Sequence, residues 1–139
     1  MSEALNTQIV KDAYAAFGRG DVNAILETLD DSIEWEAVKG TEGVVPTAGL
    51  RRGRDEVRQF FSQLAGTVEF QRFEPRQFVA QGDLVVALGY YSGTAKPTGR
   101  AFSSDWVMVF TLNNGRVTRF QEFADSAALV NAFATTAAV

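Results

Sequence analysis

The chain has 139 residues, of which 46% are hydrophobic and 22% charged; its net charge is -4, and it contains neither cysteine nor histidine. Such a length suits one domain around one core, and the composition excludes the polar, highly charged class that stays disordered. The two missing residue types exclude disulfides, thiolate metal sites and every nucleophile paired with histidine, while the negative balance argues against a nucleic-acid partner.

The N-terminal residues carry no apolar signal-type segment, and no run approaches the roughly 20 apolar residues of a membrane span, so a cytoplasmic protein without a membrane partner is expected. The densest basic group, Arg51, Arg52 and Arg54, runs directly into Asp55 and Glu56. It reads as a solvated loop and helix start rather than an anion site.

In chain order, Val10, Ala13, Tyr14 and Phe17 recur at helical spacing and predict a helix from about Asn6 to Phe17, stopped by Gly18. Asp21 is a good N-cap for a second short helix with Val22, Ile25, Leu26 and Leu29 on its apolar face. Asp30-Asp31-Ser32 breaks that helix, and Ile33 to Ala37 alternates as a half-buried strand whose apolar face is Ile33, Trp35 and Ala37. Residues 38–53 hold four glycines and Pro46 without sustained periodicity, which predicts a long loop, either a lid or binding loop or a plain surface excursion.

Arg54 to Ala65 returns to helical spacing, with Val57, Phe60, Phe61 and Leu64 on one face. Four strands follow, Val68 to Ala80, Leu84 to Thr94, Phe102 to Leu112 and Val117 to Ala124. Gln81-Gly82-Asp83 and Asn113-Asn114-Gly115 read as hairpin turns, so the strands form an antiparallel meander. Asp125 caps a last helix with Leu129, Ala132 and Phe133 toward the core, and the Ala-rich tail is expected to fray.

These strands are apolar on both parities, whereas amphipathic helices cover only one face of a sheet. A homodimer packed through the outer sheet face is the simplest partner for the other. A twisted sheet bridged by helices leaves a gap, which the aromatic residues fill or a small apolar molecule occupies.

The segments AYAAFGRGDVNAILETLDDSIEWE, PTAGLRRGRDEVRQFF, DWVMVFTLNNGRV and RFQEFADSAALVNAF, taken in order, resemble SnoaL-like proteins of the nuclear transport factor two-like superfamily, a group that includes ketosteroid isomerase and polyketide cyclases. The resemblance runs over almost the whole chain. It implies one α+β domain over residues 1–139, with a cone-like curved antiparallel sheet, mixed at its edge, covered by three helices from the N-terminal half and a short C-terminal helix around a pocket.

Ketosteroid isomerase uses a carboxylate base and an oxyanion hole of one tyrosine and one protonated aspartic acid. By resemblance the tyrosine matches Tyr14 and the base matches Glu36, although alternation sets Glu36 opposite Ile33 and Trp35, which favours Trp35 as pocket wall. The place of the protonated acid falls on Val107; Asp105 lies two residues earlier and shares its face with Val107 and Val109. A carboxylate among apolar side chains resists ionisation, so one on that face could work as acid or base near neutral pH.

Asp125 resembles the aspartate that closes the last strand in SnoaL-like cyclases, and it is equally an ordinary N-cap. Arg119, Gln121 and Phe123 share one face of that strand, and Phe61 is the expected wall residue from the third helix. The site is thus read as Asp105, Asp125, Tyr14 and Glu36 for chemistry, with Trp35, Phe61, Val107, Arg119, Gln121 and Phe123 around the substrate, and with no metal or cofactor. The implied activity is a cofactor-independent isomerase, cyclase or hydrolase acting on an apolar substrate. The alternatives are a non-catalytic binder of a hydrophobic ligand and a structural dimer filled by its own aromatics.

Overall fold

The computed structural model describes residues 2–135, so the tail expected to fray lies largely outside the described residues. Helix α1 (Glu3–Gly18) starts where the Ser2 side chain accepts a hydrogen bond from the Leu5 N–H, and α2 (Val22–Glu27) where Asp21 accepts from Ala24. Strand β1 (Leu29–Ala37) begins earlier than expected: α2 ends one turn sooner, and Leu29 pairs with Val117 instead of extending the helix.

The stretch expected to be a loop contains a short strand, β2 (Gly49–Arg52), paired antiparallel with β1 through Glu36 and Leu50. Four residues whose one large apolar side chain, Leu50, points outward give no alternation to read. Helix α3 (Arg54–Thr67) follows, then β3 (Val68–Gln81), β4 (Leu84–Ala95), β5 (Arg100–Asn113), β6 (Arg116–Ala124) and α4 (Ser126–Phe133). Arg54 is more than a solvated helix start: its guanidinium donates to the Leu29 carbonyl and lies 3.0 Å from Asp31, tying α3 to β1.

The sheet order is β2-β1-β6-β5-β4-β3. The meander β3 to β6 is antiparallel, while β1 joins β6 in parallel, with Trp35 level with Phe120. The sheet is therefore mixed at one edge and unclosed, as the resemblance implied, and the four helices lie on one face. Register shifts in β3 coincide with glycines in β4 that bring backbone or rings unusually close: a Cβ on Gly89 would stand 2.3 Å from Trp106 Cζ2 and 2.4 Å from the Glu74 carbonyl. Such close approach is what lets the sheet coil around its inner face.

Candidate functional site

The inner face and the helices bound a cavity of about 90 Å³. One water position takes roughly 10–15 Å³, so the space admits a small organic molecule. Its wall is aromatic and aliphatic, with Tyr14 and Phe17 from α1, Trp35 from β1, Phe60 and Phe61 from α3, and Phe110 and Phe120 from the sheet. The polar lining residues are Tyr14, Thr47, Tyr91 and Glu122.

Glu122, in β6, is the only acidic residue in that wall among those described. It stands level with Met108 of β5, and its carboxylate accepts a hydrogen bond from Tyr91 Oη at 3.0 Å and one from the Val38 backbone. Those bonds favour the charged form, but removal from water outweighs them and pushes the carboxyl up to about 7. Burial, followed by the charge of Glu122, raises both Tyr14 and Tyr91 well above the ordinary phenol range, so both stay neutral donors.

Tyr14 Oη donates to Met108 Sδ at 3.0 Å. A thioether is a weak acceptor, which leaves that hydroxyl ready for a better one. The loop from 38 to 48 closes the cavity with Val38, Val45 and Thr47. Val38 holds a φ of 36°, a left-handed conformation that β-branched residues avoid, and this strained residue bonds Glu122 through its backbone. Arg51 fixes the same loop: its guanidinium donates to the Thr47 carbonyl at 2.5 Å and to Gln63 Oε1 at 3.0 Å while covering the Phe60 ring.

Of the residues expected at the site, the structure brings Tyr14, Trp35 and Phe61 to the cavity wall. Asp105 and Val107 lie on the opposite, outer face of β5, because the buried, inward-facing set is Phe102, Ser104, Trp106, Met108 and Phe110. Arg119, Gln121 and Phe123 likewise point outward, and Glu36, level with Gln121, is on the face turned from Trp35. Asp125 is exposed, and its carboxylate is occupied as the cap of α4, accepting from Ala128 at 3.1 Å. The face assignment for both strands is corrected accordingly.

Glu122 escaped sequence reading for a specific reason. Thr111 pairs with Arg119 but Leu112 with Val117, so β6 carries an extra residue at Thr118. Such a bulge reverses the alternation counted from Val117 and turns Phe120 and Glu122 inward. On β5 the signal was the size of Trp106 and Phe102, each level with a glycine of β4, Gly89 and Gly93.

The described residues contain no cluster of acidic side chains suited to a metal ion, and none of their helices is long and apolar enough to cross a membrane. No curated protein matches the sequence. Among solved structures, an NTF2-like protein from Burkholderia xenovorans is 38% identical with a TM-score of 0.86, over 96% of this chain and 98% of that one. An NTF2-like protein of unknown function from Burkholderia pseudomallei is 29% identical with a TM-score of 0.85, over 97% and 100%. TerC, co-crystallised with polyporic acid, is 26% identical with a TM-score of 0.82, over 93% and 98%. The family model of the SnoaL-like domain matches residues 10–120. With the fold, the relatives and the family model in agreement, the chain belongs to the SnoaL-like domain family of the NTF2-like superfamily.

Proposed function

We propose that the cavity is a cofactor-independent acid–base site where Glu122 moves a proton on a small, largely apolar carbonyl compound, chemistry of the isomerase or cyclase type. The observation that carries this reading is a buried carboxyl, hydrogen-bonded to Tyr91, whose proton affinity lies near neutrality in an apolar wall. The carboxylate takes a proton from the carbon beside the carbonyl. The electrons move to the carbonyl oxygen as an enolate, and the same carboxyl, now an acid, returns the proton elsewhere on the molecule. Tyr14 supplies the hydrogen bond to the enolate oxygen once it leaves Met108. The TerC co-crystal with polyporic acid supports a small-molecule reading of the fold.

Acetophenone is a suitable probe, since exchange of its methyl protons in D2O, followed by proton NMR, reports this step alone. The exchange is expected to rise with pH through about 7, as Glu122 ionises, and to level above it. Loss of exchange in Glu122→Gln supports the proposal, whereas the same exchange in both proteins removes Glu122 from it. Binding without exchange in the parent protein makes the chain a carrier of hydrophobic ligands instead.

We further propose that the outer sheet face packs against a second copy. Val79, Val86, Val109 and Gln121 lie level across β3 to β6, and Leu88, Val107 and Phe123 across β4 to β6. Val79 and Phe123 are 50% and 39% exposed, and an open apolar strip of this kind marks an interface. Phe123→Lys is expected to convert a dimer to a monomer in sedimentation equilibrium; a parent protein that sediments as a monomer refutes the pairing.

A further inference from the structure

A buried carboxylate is ordinarily paired with a cation, because its charge has given up water and needs compensation. Glu122 has hydrogen-bond donors but no cation: Tyr91 Oη and the Val38 backbone, both uncharged, are the groups that bond it. From α1 it is faced by Tyr14, also neutral, and Met108 beside it on β5 carries no charge. The residues that α3, α4 and β1 give to the same wall are aromatic or aliphatic. Among the described residues that wall holds no lysine or arginine, and the chain has no histidine. Lys39, next in sequence to Val38, lies instead over the Phe123 ring at 6.0 Å, on the outer side of the sheet.

The carboxylate stands in the space between sheet and helices. Strands β4 and β6 are not neighbours, since β5 runs between them, so the bond from Tyr91 to Glu122 crosses the inner face of β5. Both side chains belong to the cavity wall, as does Met108, the β5 residue level with Glu122. A carboxylate offers about four acceptor positions, and Tyr91 and Val38 occupy only part of that capacity. The Tyr91 ring packs with Phe70 at 5.7 Å and Phe73 at 6.1 Å, and those two lie 5.4 Å apart, which sets three wall rings on the Tyr91 side of the acid. Aromatic faces attract cations, most strongly where water is excluded.

We infer that the cavity is an organic-ammonium site: a small arylalkylamine enters as its cation, donates to the Glu122 carboxylate and packs its ring among the aromatic side chains, in preference to a neutral hydrocarbon of the same shape. The ligand supplies the countercharge that the wall lacks, and the pair forms where little water screens it. The inference rests on the cavity being a small-molecule site, as proposed above, but not on proton transfer by Glu122.

The test uses 1-phenylethylamine and isopropylbenzene, which share a shape and differ in an ammonium group against a methyl. In calorimetric titration of the parent protein at about pH 8, the amine is expected to bind about tenfold or more tightly than the hydrocarbon. Its affinity should fall about tenfold for each pH unit below about 7, where the amine must displace a proton from Glu122, while that of isopropylbenzene stays level. The displaced proton is read separately, as a dependence of the measured heat on the buffer, and neither readout needs a variant to fold. Glu122→Gln should lose the preference and the pH dependence together. An amine that binds no tighter than the hydrocarbon, an affinity that is level between about pH 5 and 8, or a preference that survives in Glu122→Gln overturns the ammonium assignment and leaves the small-molecule reading standing. If neither probe binds, the small-molecule reading falls and takes this one with it.

Discussion

Glu122→Gln is expected to lose the exchange activity by about 10²- to 10⁴-fold, the range general acid–base groups contribute, and at the same time to be more stable than the parent protein above neutral pH. A carboxyl that titrates at 4.5 in the unfolded chain and about 7 in the fold holds its proton more tightly when folded. The folded state then binds more protons than the unfolded one between those values, so stability is full below about pH 4.5 and declines as pH rises through 7. The loss reaches about 3 kcal/mol at higher pH. Glutamine cannot ionise and should flatten that decline, raising Tm at pH 8 on the order of 10 °C. Asp30 and Glu74, both half-buried and held below the usual carboxylate range by hydrogen bonds, act with the opposite sign and only in more acidic solution. Thermal scans from pH 4 to 9 on both proteins test this, and parallel curves would show that Glu122 does not titrate as described.

The second large effect is expected at Gly89. A methyl group there meets the Trp106 ring at 2.3 Å and the Glu74 carbonyl at 2.4 Å, and neither can withdraw. The ring is stacked at 5.8 Å with Tyr14 and packed at 5.4 Å against Phe73, and the carbonyl belongs to β3, the strand paired with Gly89 itself. Gly89→Ala should cost about 3 kcal/mol or more, the upper end of overpacking. Gly66→Ala makes the control. That helical glycine has nothing within 4 Å of its missing Cβ, and alanine there should stabilise by about 0.5–1 kcal/mol. Urea titrations of the pair give the comparison; a loss under about 1 kcal/mol at Gly89 would mean that strands β3 and β4 separate easily.

The helices, the hairpin turns and the meander were readable because each announces itself locally, by i, i+3, i+4 spacing, by Asp21 and Asp125 as caps, or by the Asn114-Gly115 turn with φ of 52° and 78°. Tyr14, Trp35 and Phe61 could be placed for the same reason. What failed was parity. Both faces of β5 are apolar, so Asp105 with Val107 looked as inward as Trp106 with Met108, and the bulge at Thr118 reversed the count along β6. The short strand β2 and the parallel join of β1 to β6 depend on partners distant in sequence, for which a local pattern holds no signal.

That parallel join also bears on how the molecule is made. Strand β6 is the last of the six in the chain, yet it lies between β1 and β5 and unites the edge pair with the rest of the sheet. Until it arrives, no strand pairing links β1 and β2 to the β3 to β5 meander, and the two meet only through helices such as α1, whose Tyr14 packs on Phe73 and Trp106. Glu122 travels in with the joining strand, so the carboxyl reaches its inward-facing place in the step that completes the sheet. Pairing across some ninety residues carries a large loop-closure cost, and folding on the slow, millisecond-to-second side follows from it.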